Sequence, residues 1–533
     1  MRTVLSLWLP RLALPAILLL TLIVYGQVIG FDFVDWDDTS LVTGNPLTQK
    51  FSLAIFWIFE PEIYSPLSLL SFQIEHWLVG FEPAIFHMTN LLLHLINIIL
   101  AWKLLQALTK SQIINPAYRT GRRKSQIMFF AVALFALHPI QVESVAWVSA
   151  RKELLWTLFG LLAVIAYVQE PKDLPHAHPL LRTLIRHRVF LFTLLSLLSK
   201  PTAVVLPVLL LLIDWSNRQL SKRTIKEKWP LFSLALVFGL LGLLGKTGGS
   251  LLLTLWERVL LVPAGLVYAF RLLLWPLHYA VLHPAPTPVA LFTPLYGGST
   301  IFACVLFVVL WKIRKRFPLL ILGSAIFFIT LLPGLLSPLH ADTITLGSEH
   351  YLYFPLIGIA IAISGMIAQS QIINRKSQIV ILVLISFLTI RTFLQVSVWH
   401  DSTTLFESVR KTYPRSAPVL TNLGAAYARM ERYPDAESVL RQAIGLDPNL
   451  AQAHFNLGGL RYVRNDYPGA ITAYKRVINL QENHTDAWRM LTWSYYRSGD
   501  LVRARDAYDT TVHLRPTLRD QLPDLGLRKG LAL

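Results

Sequence analysis

The sequence has little cysteine and little charge. Its 533 residues include one cysteine, Cys304, and only 15% of them are charged. A single cysteine excludes a disulfide within the chain and leaves the redox compartment open. With 54% hydrophobic residues and a mean hydropathy of +0.50, the chain is too apolar for a soluble protein of this length. The composition therefore predicts a polytopic membrane protein.

Acidic residues are also scarce, since 31 Asp and Glu stand against 49 Lys and Arg and give a net charge of +18. In a soluble chain this excess would suggest a nucleic-acid partner. Here the basic residues fall in short loops between apolar runs, as the positive-inside rule describes, so we expect no nucleic-acid partner. Membrane lipids, through anionic headgroups or phosphates, are the partners that this charge favours. The basic loops are 110–124, 172–188, 218–228 and 312–316.

The alternation of apolar runs and basic loops predicts about eleven membrane crossings within residues 1–396, with every basic loop on one side. Arg2 and Arg11 place the N-terminus on the cytoplasmic side. One apolar run, 258–274, carries Pro263 and Arg271. We expect that run to be broken at the proline and to be re-entrant or interfacial, because a full crossing would move the loop 312–316 to the opposite side.

An acidic stretch, FDFVDWDD at 31–38, directly follows the first apolar run, 12–29. It places four carboxylates where the chain leaves the lipid on the extracytoplasmic side, and such groups indicate a site because they are costly to desolvate. A solvated cap that keeps the helix from sliding inward is the alternative. Two adjacent carboxylates can hold a divalent metal ion but do not specify one, so the metal requirement stays open and no other cofactor is predicted. The four are Asp32, Asp35, Asp37 and Asp38.

Three further polar groups are predicted on the same side, each at a turn between two crossings. The first contains His138, Glu143, Arg151 and Lys152, the second contains Lys200, and the third contains Glu349, His350 and Tyr353. A carboxylate there can act as general base on a hydroxyl, and Lys and Arg can stabilise a departing phosphate. Taken singly, each residue also has a structural interpretation: a helix stop before Pro139, an interfacial anchor, a snorkelling lysine or a helix-capping acid.

From about residue 397 the sequence becomes soluble and helical, with a period of 34 residues. It predicts three tetratricopeptide repeats at 416–517, preceded by a linker and capping helix at 397–415 and followed by a tail at 518–533. By the crossing count the repeats are extracytoplasmic. Their groove is expected to bind an extended acceptor peptide; a packing or oligomerisation surface is an equal alternative. The candidate groove residues are Asn422, Tyr427, Asn456, Arg461 and Tyr495.

The ordered motifs FDFVDWDDTSLVTGNP, HMTNLLLHLINIILA, ALFALHPIQVESVAWVSARKELL, LLSKPTAVVLPVLLLLIDW and SEHYLYFPLIGI, followed by the repeats, resemble a known family. This is the membrane O-mannosyltransferase family with tetratricopeptide repeats and its bacterial relatives, among the C-type, polyprenyl-phosphate-sugar-dependent glycosyltransferases. The resemblance implies that Asp37 and Asp38 are the catalytic pair, that the donor is a polyprenyl-phosphate-linked sugar such as mannose, and that the anomeric carbon is inverted. It also implies a bacterial inner membrane as the location. The chain departs from the family at Lys200-Pro201 and Glu349-His350, where the family often has Lys-Glu and Glu-Arg.

The sequence thus predicts an all-α chain, in which a polytopic membrane bundle is followed by a tetratricopeptide solenoid. The expected activity is transfer of a hexose to a protein Ser/Thr or other hydroxyl. The expected general base for this transfer is Asp37 or Asp38, and Asp35, Glu143 and His138 are also expected in the catalytic group. The expected donor-phosphate contacts are Arg151, Lys152, Lys200, Glu349, His350 and Tyr353. A non-enzymatic scaffold and a transporter of a lipid-linked sugar are the alternatives; a transporter would need ionisable residues within the spans, where only Arg271 and Arg391 are found.

Overall fold

The protein is described from a computed structural model, which covers residues 2–58, 64–110, 122–169, 179–244, 253–336, 339–340, 343–369 and 375–523. Most of the basic loop 110–124, residues 172–178 of the basic loop 172–188 and most of the tail 518–533 lie outside the described residues. The chain divides into two compact units, Met1–Asp401 and Ser402–Leu533. Helices dominate both units, which confirms the predicted all-α class.

The first unit contains fifteen of the described α-helices and one small hairpin of strands β1 and β2, which pair antiparallel. The elements are α1 Arg2–Tyr25, α2 Pro66–Val79, α3 Pro83–Lys110, α4 Arg122–Leu137, α5 Val142–Ala146, α6 Arg151–Val168, α7 Pro179–Ser199, α8 Leu206–Ser216, α9 Lys222–Glu227, α10 Trp229–Leu244, α11 Leu255–Leu274, α12 Pro294–Ile313, α13 Pro318–Leu335, β1 Leu339–His340, β2 Thr343–Ile344, α14 Pro355–Gln369 and α15 Arg375–Val396.

Among the described residues, five helices are long and apolar enough to cross a membrane. A bent pair, Ser125–Leu137 with Pro139–Ala146, adds a sixth if the two parts form one span. Three shorter apolar helices, at Pro201–Ser216, Trp229–Gly242 and Pro355–Ile367, coincide with other predicted crossings. A length of about 20 residues is needed to cross the hydrocarbon core, so the total of eleven stays a prediction.

The predicted break at Pro263 is wrong, because α11 runs without interruption from Leu255 to Leu274. Thr254 and Glu257 form a capping box at its start, which satisfies the first free backbone N–H groups. Leu260, Leu261 and Ala264 on either side of the proline are buried, so packing of the helix against the rest of the unit offsets the cost of the missing backbone hydrogen bond. Tertiary packing here overrides a local helix-breaking residue.

Four segments meet at one end of the first unit, which we call the acid end. The loop 31–38 lies there against Ser149, which precedes α6, and Lys200, which precedes α8, pairs with Glu153 of α6. The last turn of α13 is also there: a Cβ at Gly334 would lie 2.8 Å from the ring of Tyr351. Because α13 is about 27 Å long, its start and the turn 314–317 lie at the opposite, basic end.

The second unit begins with α16 Ser402–Thr412, which packs on the following helix, and continues with three helix pairs. The first helices begin at Ala417, Ala451 and Thr485 and the second at Tyr433, Tyr467 and Leu501, so both series repeat every 34 residues as the sequence predicts. The turn within each pair has a left-handed residue at the same position: Glu431, Asn465 and Gly499. The pairs are α17 Ala417–Arg429 with α18 Tyr433–Leu446, α19 Ala451–Val463 with α20 Tyr467–Leu480, and α21 Thr485–Ser498 with α22 Leu501–Leu514.

Candidate active site

Asp38 lies fully buried in the acid loop and holds that loop against the start of α6. One carboxylate oxygen accepts a hydrogen bond from the Val34 amide (3.0 Å), and the other accepts hydrogen bonds from the Ser149 amide (2.9 Å) and the Ser149 hydroxyl. Burial raises the pKa of Asp38 to about 6, against the lowering effect of these hydrogen bonds. A fully buried carboxylate that accepts three hydrogen bonds from its surroundings serves the structure of the loop.

Asp37 differs from its neighbour, because its side chain is only half-buried. Its backbone carbonyl accepts hydrogen bonds from the Leu41 amide and the Ser40 hydroxyl, while its carboxylate makes no hydrogen bond or ion pair with any residue that the structure describes. Burial, then the charges of Glu153, Glu143 and Asp37, raise the pKa of the Tyr351 phenol, so Asp37 is electrostatically coupled to the polar cluster beside it. Asp37 is thus an accessible acceptor of a proton.

Asp35, the third candidate in the loop, is also half-buried. Its carboxylate accepts a hydrogen bond from the Thr39 hydroxyl at 2.6 Å, which closes a short turn within the loop. Asp32 is exposed, and its backbone amide donates to the carbonyl of His400. The four acids therefore occupy distinct environments, although the sequence places them within seven residues.

Glu143 and His350 form the centre of the site. One Glu143 oxygen contacts His350 Nδ1 at 2.8 Å, and the other accepts a hydrogen bond from the His350 amide at 2.9 Å. Both side chains are buried, and the His350 ring stands edge-on to Trp147. This arrangement joins the first and third of the predicted polar groups through two residues that are 207 positions apart in sequence.

Lys200 extends the cluster through an ion pair with Glu153, whose other oxygen accepts a hydrogen bond from the Trp156 indole at 2.8 Å. His350 Nε2 lies 3.9 Å from the same Glu153 oxygen that Lys200 contacts. The Lys200 ammonium also lies 4.7 Å from the centre of the Tyr351 ring. Burial lowers the pKa of Lys200, and Glu153 opposes that effect.

Lys152 is a buried cation without a carboxylate partner. Its ammonium lies 5.7 Å from the centre of the Trp147 ring and makes no hydrogen bond or ion pair with the described residues. Its positive charge contributes to lowering the pKa of Lys200, so the two ammonium groups share one environment. The carboxylates of Glu153 and Glu143 belong to the same environment, in which Lys152 is a cation without an ion pair among the described residues.

Arg151, next to Lys152, has most of its donors occupied by the protein. The guanidinium pairs with Glu75 at 2.6 Å and donates to Asn90 (2.8 Å), Ser71 (3.1 Å) and the carbonyl of Phe86 (2.8 Å). It also lies over the Phe72 ring, 4.5 Å from its centre. This side chain ties α6 to α2 and α3, so it positions Lys152 rather than presenting a free fork of donors.

Glu349 lies on the far side of the cluster. Burial, reinforced by the charge of Glu143, raises the pKa of Glu349 well above its usual range, while a hydrogen bond from the Ala280 amide (2.7 Å) opposes this. His283 Nε2 contacts the same oxygen at 3.2 Å, and burial lowers the pKa of His283 to about 3. Burial thus favours the protonated, uncharged form of Glu349, next to a His283 that is held neutral.

His138 and Tyr353 lie in the surrounding core. His138 Nδ1 accepts from the Ile140 amide at 3.2 Å and Nε2 donates to the Leu273 carbonyl at 3.1 Å, so both ring nitrogens are used. The Tyr353 hydroxyl contacts His94 Nδ1 at 2.7 Å and accepts from Asn97 at 3.3 Å. These contacts fit the helix-stop interpretation of His138 and place Tyr353 inside the bundle.

In the second unit, two of the five candidate groove residues are buried. Tyr427 donates to Glu407 at 2.8 Å and Tyr495 lies in the core between repeats. Arg461 contacts the Gly469 carbonyl at 3.1 Å and so joins the two helices of its own repeat. Asn422 and Asn456 are half-buried at equivalent positions of α17 and α19. Asn456 reaches the Thr421 carbonyl at 3.4 Å across the repeat boundary.

Sequence reasoning did not select three residues that complete the site: Ser149, Glu153 and His283. Glu153 stands in the motif SARKE beside two chosen cations, and that adjacency was an available signal. His283 lies in a segment without any motif, and only folding brings it to Glu349. Among the described residues, no group of three or more His, Cys, Asp or Glu side chains is placed to hold a metal ion.

Comparison with known proteins supports the resemblance that the motifs suggest. A protein O-mannosyl-transferase of Caenorhabditis elegans is 24% identical over 469 residues, which cover 81% of this chain and 62% of that protein. Protein O-mannosyl-transferase TMTC4 of Mus musculus is 32% identical over 161 residues, 27% of this chain and 21% of that protein. Tmtc3 of Drosophila melanogaster is 33% identical over 118 residues, 21% of this chain and 13% of that protein.

The family description "Tetratricopeptide repeat" matches residues 421–483 and 460–518, which confirms the predicted repeats. The chain spans about three fifths of the length of the worm protein and smaller parts of the other two. The similarity to the worm protein therefore extends over most of this chain. Over most of its length this chain is similar to a protein O-mannosyl-transferase, and its C-terminal part carries tetratricopeptide repeats.

Proposed function

We propose that the chain transfers a hexose, mannose by analogy with the names of its relatives, from a lipid-phosphate carrier to a hydroxyl group of a protein. The observation that carries the proposal is the pair of groups left unengaged at the acid end. These are the half-buried Asp37 carboxylate and the buried Lys152 ammonium. The charge of Lys152 acts on Lys200, and the charge of Asp37 acts on Tyr351, whose ring lies beside Lys200. A base and an anion site side by side are what transfer from a sugar phosphate requires.

In the proposed reaction, the Asp37 carboxylate accepts the proton of the acceptor hydroxyl as its oxygen attacks the anomeric carbon. The bond between that carbon and the phosphate oxygen breaks, and its electron pair leaves with the phosphate. Lys152 and Lys200 stabilise the negative charge that develops there. A single displacement inverts the configuration at the anomeric carbon.

The remaining residues of the site position these groups. Glu143 holds His350, which contributes positive charge toward the phosphate when it is protonated. Arg151 fixes the start of α6, from which Lys152 extends, and Asp38 fixes the loop that carries Asp37. Since Arg can bind phosphate bidentately only when its donors are free, the phosphate contact is assigned to the lysines.

The repeats are proposed to hold the acceptor protein, with Asn422 and Asn456 as the contacts to its backbone. Amide side chains at equivalent positions of successive repeats can pair with an extended peptide at regular intervals. We further propose that the acid end and the repeats face the extracytoplasmic side, as the positive-inside rule predicts from the basic loops.

The test is sugar transfer by the purified protein in lipid bilayers, with radiolabelled polyprenyl-phosphate mannose as donor. Asp37→Asn is expected to lower kcat by about 10²- to 10⁴-fold, the usual contribution of a general base. Asp32→Asn, a change at an exposed acid of the same loop, is the control and should keep full activity. Full activity of Asp37→Asn in a correctly folded protein would refute the assignment. Absence of any turnover in the wild type would favour the scaffold.

A further inference from the structure

A second site lies outside the acid end, in a cavity of about 430 Å³ between α8, α11, α12 and α13. Its volume falls within the range of roughly 300–1,000 Å³ that small-molecule sites occupy. The lining is apolar except for Ser324 and Arg314, and it includes Phe307, Trp311, Phe328 and Trp215. A cavity of this composition fits an alkyl chain and offers little to a polar ligand.

The cavity belongs to the half of the unit nearest the basic end. Trp215 lies in the last turn of α8 and Ile321 in the first turn of α13. The acid end is reached by the other terminus of each helix, the start of α8 and the end of α13. The sugar-transfer groups are therefore at the other end of these helices. The α12 side chains beside the cavity are largely exposed, with 66% of Phe307 and 57% of Trp311 accessible, so this helix faces the lipid.

Positive charge is concentrated in the turn between α12 and α13, from which Arg314 reaches the cavity. The five-residue span 312–316, at the turn between α12 and α13, carries four cations: Lys312, Arg314, Lys315 and Arg316. None of them forms an ion pair with a carboxylate among the described residues. The Arg314 guanidinium stacks on the Trp311 ring, 3.8 Å from its centre, which holds it at the rim. Indole rings and cations at this position are typical of the level of lipid headgroups.

We propose that this cavity binds one anionic diacyl phospholipid, with an acyl chain inside and the headgroup phosphate on Arg314. The apolar lining can bury the acyl chain of the lipid. The cations without carboxylate partners favour a headgroup with a net negative charge over a zwitterionic one. The bound lipid fills the space that separates α12 from α8 and α13. It therefore stabilises the packing of that peripheral helix.

The test uses the full-length protein in detergent, with phosphatidylglycerol and phosphatidylcholine added separately and bound lipid counted by native mass spectrometry. We expect one phosphatidylglycerol per chain, bound at least tenfold more tightly than phosphatidylcholine, together with a rise in melting temperature. Arg314→Gln and the cavity-filling Ala325→Phe should each weaken that binding tenfold or more. Arg314→Lys and Lys222→Gln, a change at an exposed cation of the same end, should keep it.

Equal binding of the two lipids, or unchanged phosphatidylglycerol binding by Arg314→Gln, would overturn the proposal. So would displacement of phosphatidylglycerol by a lower concentration of polyprenyl phosphate, because the occupant would then be an isoprenoid lipid. If Ala325→Phe fails to fold, the comparison of Arg314→Gln with Arg314→Lys decides the question. Sugar transfer does not enter the measurement, so its outcome is independent of the function proposed for the acid end.

Discussion

Neighbouring residues at the acid end differ in whether their side chains are bound by the rest of the protein. Asp38 has three hydrogen-bond donors around its carboxylate, whereas Asp37 has none among the described residues. Arg151 is paired with Glu75, whereas Lys152 lies only over an aromatic ring. In each pair the engaged residue supports the fold, and the unengaged one is available to a substrate. Two predictions follow at this scale.

The stability of the folded protein should depend on pH through Asp38. The pKa of Asp38 in the folded protein is raised to about 6 from 3.8. Between about pH 4 and pH 6, Asp38 is therefore protonated in the folded chain and ionised in the unfolded chain. The contribution of this group to stability is then greatest below pH 4 and falls as pH rises through 6. A difference of about two pKa units corresponds to at most about 3 kcal/mol. Melting temperatures across pH 4–7 should show a smaller fall for Asp38→Asn, while Asp32→Asn keeps the wild-type slope; equal slopes would contradict the prediction.

The two lysines should respond differently to loss of charge. Lys152→Gln removes a buried cation without a partner, so we expect an unchanged or higher melting temperature together with at least a tenfold higher KM for the lipid-phosphate donor. Lys200→Gln leaves Glu153 buried and unpaired, which should lower stability by about 3–5 kcal/mol. Thermal unfolding and donor titration distinguish the two cases. A large loss of stability in Lys152→Gln would show that its role is structural.

At the scale of single elements, the repeats follow local rules and the membrane helices do not. The 34-residue period fixes helix starts, turn positions and the left-handed residue between paired helices. By contrast, α11 continues through Pro263 because its buried neighbours stabilise it. Close approach of the paired repeat helices depends on small residues, and one of these gives a direct test.

Gly458 of α19 permits the approach of Tyr474 from α20, since a Cβ at that position would lie 2.7 Å from the tyrosine ring. Gly458→Ala should therefore lower the free energy of unfolding of the repeat unit by about 1–3 kcal/mol, the usual cost of overpacking. Gly459→Ala is the matched control, because its Cβ would meet the Tyr474 hydroxyl only at 3.7 Å. It should be neutral or stabilising by up to about 1 kcal/mol, as alanine favours the helix. Urea unfolding followed by circular dichroism compares them, and equal costs would contradict the packing argument.

At the scale of the whole molecule, the acid loop and the described basic segments 218–228 and 312–316 of the first unit lie at opposite ends. The membrane orientation, the crossing number and the bacterial inner-membrane location stay predictions. The single cysteine makes the orientation directly measurable. Cys304 is exposed, and its replacement by serine should be tolerated and yields a chain without thiols.

In that background, a single introduced cysteine shows on which side of the membrane its position lies. The three positions are Ser40 in the acid loop, Ser498 in the repeats and Lys315 in the basic turn. A membrane-impermeant maleimide added outside intact cells should label Ser40→Cys and Ser498→Cys and leave Lys315→Cys unlabelled until the cells are opened. Opposite labelling of Ser40→Cys and Ser498→Cys would separate the acceptor-binding repeats from the acid end. The proposed transfer to a protein held by the repeats would then fail.

The sequence by itself determined the helical class, the membrane character, the repeats and the motifs of the acid end. These depend on composition and on short-range periodicity, which a single chain displays directly. Only the tertiary structure decided which members of each motif are engaged. Ser149 reaches Asp38 across 111 residues and His350 reaches Glu143 across 207, and no local pattern encodes such pairings. The distinction between a supporting and an available charge depends on burial and partners, and these exist only after the helices have packed.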